Sequence, residues 1–140
     1  MIPPINSGKP LGTASGQPTR LAPLGSPKQI GPVTRTDIVR YQGASGDMNP
    51  VHHDEPFAVA AGYPAPLCVG MFQAGALVAW AADCYGPENV RRVRIRWKEP
   101  VFPGDLLTFH ADEKGEEIHL WCTRQTGGVA VEAWVTFARG

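Results

Sequence analysis

The sequence predicts an α+β domain in which a curved antiparallel β-sheet wraps around one long central α-helix. Three observations predict it. Residues 70–84 are almost wholly apolar, with Gln73 nearly the only polar member. Four stretches of period-two alternation follow that run in the chain. Lys114-Gly115 and Gly127-Gly128 then mark hairpins between the last three of them. A helix that is apolar on every side has to be buried on every side. In a chain of 140 residues the strands are what can cover it.

Taken in order, residues 1–28 come first and stand apart in composition. They hold six prolines and no acidic residue, and Lys9, Arg20 and Lys28 are their only charges. With few large apolar side chains the segment cannot offset its own ordering entropy. It reads as a tail, or as an extended arm laid across a partner subunit, and residues 29–140 as a single, mildly acidic domain. Within that domain Thr34 and Thr36 offer caps for a short helix over 37–41. Residues 45–50, Ser-Gly-Asp-Met-Asn-Pro, are turn chemistry throughout, and Pro50 disfavours helix at Asn49. A second short helix fits 55–61, stopped by Gly62, and Pro64 and Pro66 make 63–69 a loop. The apolar helix follows and stops at Gly86-Pro87. Val93, Ile95 and Trp97 then alternate with Arg92, Arg94, Arg96 and Lys98 in the first strand. Leu107, Phe109 and Ala111 form the second apolar face, and Ile118, Leu120 and Cys122 the third. Val129, Val131, Ala133, Val135 and Phe137 make the cleanest one. Read this way, the strands are an antiparallel meander.

Composition excludes several functions. Thirteen basic residues balance thirteen acidic ones, which argues against a dedicated nucleic-acid binder or a polybasic membrane module. Cys68, Cys84 and Cys122 are too far apart for a zinc ribbon or a redox pair, and reduced thiols fit a cytoplasmic protein. The N-terminus lacks the features of a signal peptide, and the longest apolar run is too short to span a bilayer. His52-His53-Asp54 does not suggest a metal site, because adjacent side chains rarely converge on one ion. Cys68 before the helix start could be an activated thiol, but a small loop residue is the simpler reading.

Chemistry concentrates in residues 41–54. Asp47 and His52 are five apart with Asn49-Pro50 between them. A turn there can bring a carboxylate and an imidazole to the same water, which a straight strand or a regular helix does not do at that spacing. The competing reading is that Asp47 and Asn49 cap backbone amides and His52 is a partly exposed polar residue. At the level of composition both stay open.

The run Ser45-Gly46-Asp47-x-Asn49-Pro50-x-His52-x-Asp54 resembles the signature of the MaoC-like family, the R-specific enoyl-CoA hydratases and 3-hydroxyacyl thioester dehydratases. Ala60-Ala61-Gly62-Tyr63, Val69-Gly70-Met71 and Glu99-Pro-Val-Phe-Pro-Gly-Asp105 fit as well, so the likeness covers about residues 30–138. One departure is Val69, where the family usually has His. The resemblance implies a hot-dog fold and reversible hydration of trans-2-enoyl thioesters to (R)-3-hydroxyacyl thioesters without a cofactor. It implies that Asp47 and His52 are the catalytic pair and that Asn49 orients the site. The Gly70 N–H at the helix start would form the oxyanion hole. The thioester would be acyl-CoA or an acyl-carrier protein. Arg92, Arg94 and Arg96 on one strand face are either a solvated surface or a dock for coenzyme A phosphates or an acidic carrier. Hot-dog relatives pair through their sheets, so a homodimer, or a dimer with a similar subunit, is expected. Two rival functions remain from the sequence: a non-catalytic acyl-thioester-binding or stabilising subunit of a heteromeric hydratase, and a hot-dog thioesterase.

Overall fold

The computed structural model describes Leu24 and residues 27–138. Local chemistry sets the limits of each helix. At the start of α1 (Arg35–Ser45) the Asp37 N–H donates to Thr34 Oγ1 at 3.0 Å and the Thr34 N–H to Asp37 Oδ2 at 2.9 Å, a reciprocal capping box. The helix continues beyond the expected 37–41 until Gly46, whose φ of 78° only glycine adopts readily. The Gly46 N–H donates to the Gln42 carbonyl and closes the last turn. Asp54 caps α2 (Glu55–Ala60) through its Oδ1, which accepts from the Phe57 N–H. α3 (Gly70–Tyr85) stops at Gly86.

Five strands form one antiparallel sheet: β1 (Lys28–Ile30), β2 (Val90–Trp97), β3 (Leu107–Asp112), β4 (Glu117–Arg124) and β5 (Val129–Phe137). Their order is β1-β3-β4-β5-β2. The last three strands form the expected meander, but β2 does not continue it. It pairs with β5 and leaves its outer edge unpaired. The chain between β2 and β3 carries Pro100 and Pro103, which lack the N–H a tight hairpin uses. It crosses the sheet instead. Composition placed Lys28 in the tail; Lys28 instead pairs with Phe109, and Leu24 is buried in the core. Residues 1–23 lie outside the described set.

The core lies between α3 and the inner sheet face. Ile118, Leu120 and Cys122 of β4 and Val131, Ala133 and Val135 of β5 are fully buried with Ala74, Leu77 and Ala81 of α3. The register sets Leu120 opposite Ala133 and Cys122 opposite Val131, so both strands direct the same parity of residues inward. The expectation that α3 is covered on every side is not met by the described residues. Met71, Gly75, Val78 and Ala79 line an open apolar groove of about 490 Å³ with Val93 and Ile95 of β2. The sheet curves over one side of α3 and stops at β2. No helix among the described residues is long and apolar enough to cross a membrane.

A buried ion pair joins the crossover to the β4–β5 hairpin. Asp105, 4% exposed, accepts from Arg124 Nε at 2.8 Å, from Gln125 Nε2 at 2.9 Å and from the Phe102 N–H at 2.9 Å. Burial alone would raise its pKa, but these donors and the Arg124 charge hold the carboxyl below its ordinary value.

Candidate active site

The segment after α1 is a chain of side-chain-to-backbone hydrogen bonds. The Asp47 N–H donates to Ser45 Oγ at 3.2 Å, the Asn49 N–H to Asp47 Oδ1 at 3.2 Å, and the Val51 N–H to Asn49 Oδ1 at 3.1 Å. These locally closed turns lead into a 3₁₀ turn, Pro50–His52, anchored by the buried Val51. The capping reading of Asp47 and Asn49 is therefore correct as far as it goes. Only one Asp47 oxygen is used in this way. Oδ2 faces His52 Nε2 at 3.7 Å.

The protonation pattern of His52 follows from its other nitrogen. Nδ1 lies 2.8 Å from the Leu67 carbonyl oxygen, which can only accept, so in the neutral ring Nδ1 carries the hydrogen and Nε2 the lone pair. The imidazole is nearly buried and the Asp47 side chain about half exposed. At 3.7 Å the two groups are beyond direct hydrogen-bond range, and both aim at the same gap.

His52 also lines a cavity of about 270 Å³ with Tyr63, Leu67, Gly70, Gln73 and Trp97, among others, whereas Asp47 is not one of its lining residues. Gly70 opens α3, and Val69 before it supplies no side-chain cap. The Phe72 N–H donates to the Val69 carbonyl at 2.8 Å, and no side-chain cap meets the N–H groups of Gly70 and Met71 at the positive end of the helix dipole. The Trp97 indole donates to the Gly70 carbonyl at 2.9 Å. A Cβ at position 70 would lie 2.7 Å from Trp97 Nε1, so glycine is required there by the closeness of the indole. Val69 is buried, and the loop before it is pinned by the Leu67 N–H to the Val51 carbonyl and the Cys68 N–H to the Val101 carbonyl.

Arg92, Arg94 and Arg96 do not line this cavity. Val93 and Ile95 face the α3 groove, so the arginines alternate onto the outer face of the sheet. There Arg94 pairs with Glu117 at 2.8 Å and stacks over Trp134. Lys98 does line the cavity, and it pairs with Glu132 at 3.8 Å. His52 and His53 diverge: His53 Nδ1 lies 3.2 Å from Gln42 Oε1. Burial, and next the negative charge of Asp37, push the Cys68 thiol up to about 12, so it stays protonated at neutral pH and is no nucleophile.

Sequence reasoning missed Gln42. It is buried on α1, and its Nε2 donates to the carbonyls of Asp47 at 3.0 Å and Asn49 at 3.3 Å while its Oε1 faces His53. One carboxamide thereby holds both ends of the segment that carries Asp47. The only advance signal is its spacing of four from Ile38, which puts both on the buried helix face. Trp97, which alternates with the β2 arginines in step with Val93 and Ile95, is half exposed and touches the helix start.

A family model described as the MaoC like domain matches residues 22–135. The chain belongs to the MaoC-like family. It has the hot-dog fold, the sheet and helix described above. It is 31% identical over 91 residues to peroxisomal multifunctional enzyme type 2 of Mus musculus, spanning 62% of this chain and 12% of that protein. It is 38% identical over 79 residues to 3-hydroxyacyl-thioester dehydratase Y of Mycobacterium tuberculosis, spanning 54% of this chain and 27% of that protein. In both cases the match is a minor part of the relative's length. The solved (R)-hydratase from A. caviae involved in PHA biosynthesis superposes with a TM-score of 0.66 at 20% identity, covering 86% of this chain and 98% of that one. At that identity the likeness is one of fold. Of the motif residues, His52 lines the cavity with Gly70, Asp47 faces His52 at 3.7 Å, and Asn49 is engaged in capping the Val51 N–H; the three arginines lie elsewhere.

Proposed function

We propose that this MaoC-like domain hydrates trans-2-enoyl thioesters to (R)-3-hydroxyacyl thioesters, and catalyses the reverse dehydration, through Asp47 and His52. The observation that carries the reading is the 3.7 Å gap between Asp47 Oδ2 and His52 Nε2, set beside the uncapped start of α3. A water bridging the two groups from the side donates one proton to the Nε2 lone pair while its oxygen bonds to C3 of the substrate. The electron pair of the C2–C3 double bond moves toward the thioester, whose oxygen gains negative charge. The Gly70 N–H and the helix dipole stabilise that charge. The imidazolium then returns the proton to C2, so water is added without a cofactor. Asp47 orients the water and stabilises the transient imidazolium. Asn49 acts one step back, by capping the turn that presents His52. The name of the mycobacterial relative, 3-hydroxyacyl-thioester dehydratase Y, supports the same substrate class.

The thioester is carried by coenzyme A or by an acyl-carrier protein. Lys98 at the cavity is the cation placed to meet its phosphates, with Arg92, Arg94 and Arg96 reached only around the sheet edge. A cytoplasmic setting belongs to the same proposal and rests on the small number and wide spacing of Cys68, Cys84 and Cys122 in the sequence. The test is the absorbance of the enoyl thioester with crotonyl-CoA. Loss of absorbance without free thiol is the expected result. Thiol release would establish a thioesterase, and silence of the pure protein would favour the non-catalytic subunit.

A second copy, or a similar chain, completes the fold. β2 presents eight residues at an unpaired edge, next to the apolar groove on α3, and Met71, Val93 and Trp97 are each more than a third exposed there. Pairing β2 with β2 of a partner covers both features at once. Sedimentation at micromolar concentration is expected to show a dimer. A fully active monomer would overturn it.

A further inference from the structure

Gln73 is the one polar side chain in the first three turns of α3, and its surroundings are at odds with a purely structural role. The residue is 2% exposed, and its Oε1 is buried without a hydrogen-bond partner among the described residues. Native interiors leave few such acceptors, because the lost hydration is not replaced. Gln73 lies in the first turn of α3, three residues after Gly70. Helical side chains lean toward the N-terminus, so the carboxamide reaches back toward the helix start. It lines the same cavity as His52 and Gly70. The rest of the wall is made by Tyr63, Leu67, Cys68, Trp97 and Pro100, together with Lys98 and Glu99.

An acceptor left without a partner beside the cavity can be paired by a donor that enters it. We propose that Gln73 is a specificity-determining residue whose Oε1 accepts a hydrogen bond from a hydroxyl on the acyl chain, so that hydroxylated acyl thioesters are selected over plain alkyl ones of equal length. An unsubstituted chain seals the acceptor away from water and leaves it unpaired. A hydroxyl on the chain pairs with it. The inference rests on the hydration reading for the identity of the ligand, but binding can test it without turnover.

The probes are saturated thioesters that cannot be hydrated: 4-, 5- and 6-hydroxyhexanoyl-CoA against hexanoyl-CoA, titrated by calorimetry into the full chain and its Gln73→Met variant. Met keeps the length of Gln without its polar atoms. In the wild type, at least one hydroxylated probe is expected to bind roughly five- to a hundredfold tighter than hexanoyl-CoA. In Gln73→Met that preference is lost, through weaker binding of the hydroxylated probe and equal or tighter binding of hexanoyl-CoA. The variant is also expected to melt at a higher temperature than the wild type, since a buried acceptor without a partner has been removed. Equal binding of all four probes by the wild type would overturn the inference, as would an unchanged preference in the variant. A lower melting midpoint in the variant would overturn it too, by showing that the carboxamide is satisfied within the protein. Crotonyl-CoA turnover is measured on the same samples. Its absence, with the hydroxyl preference intact, would strike the hydration reading and leave the role of Gln73 standing.

Discussion

Asp47→Asn and His52→Gln are each expected to lower kcat by about 100- to 10,000-fold while the protein stays folded and still binds thioester. Asparagine can keep the contact that Asp47 Oδ1 makes with the Asn49 N–H at 3.2 Å, so the turn survives while the anion is lost. Glutamine keeps the size of His52 but not the lone pair that the Leu67 carbonyl leaves on Nε2. Because both groups act on one water, their losses should not add, and the double variant should be little worse than the weaker single one. A capping role alone predicts a different pattern: stability lower by about 1 kcal/mol, with near-normal turnover in the folded fraction. Measuring kcat and the melting midpoint on the same samples separates the two. Near-wild-type turnover in a well-folded Asp47→Asn protein would end the mechanism.

The largest effect on stability is expected at Asp105, away from the cavity. Asp105→Asn leaves Arg124 charged and partly buried, with its side chain 18% exposed and its main counter-ion gone. Breaking such a pair costs about 3 kcal/mol, which lowers the melting midpoint by roughly 10 °C in a domain of this size. The pH dependence has a definite sign. The folded-state pKa of Asp105 is held down, so the ionised form is stabilised by folding. That stabilisation is fully present above the ordinary carboxylate pKa, about 4. It is lost as pH falls through the lower folded value. The gap between wild type and Asp105→Asn should therefore be full at pH 7 and shrink in strong acid. A variant that melts within about two degrees of the wild type at pH 7 would show that Arg124 finds water or Glu99, 3.5 Å away, as an adequate substitute.

The pair also shows where sequence reading stops. Asp105 sits in a recognisable Pro-Gly-Asp turn, yet its partner is nineteen residues further on, at the end of β4. Gln42 is similar: nothing in its immediate neighbours says that its carboxamide will hold the carbonyls of Asp47 and Asn49. β1 is three residues between Pro27 and Gly31-Pro32, too short to carry a period, and it is a strand because β3 offers it an edge. The Arg92, Arg94 and Arg96 alternation is plain in the sequence. That it lies on the outer face, clear of the His52 cavity, follows from Val93 and Ile95 turning toward α3.

Features carried by neighbouring residues are written in the chain itself. The apolar run of α3, the alternation of the four long strands, the hairpin glycines and the Asp47–His52 turn all depend on contacts within a few residues or on period, and all are legible there. Selection among distant partners is different, because it depends on which buried surfaces fit once the chain has closed on itself. β2 joins β5 and not β3, the unpaired side of α3 faces an open groove, Trp97 reaches the Gly70 carbonyl, and Gln73 keeps an acceptor with no partner. Period and turn chemistry constrain none of these. Packing decides them, since each turns on atoms brought within a few ångströms by segments far apart in sequence.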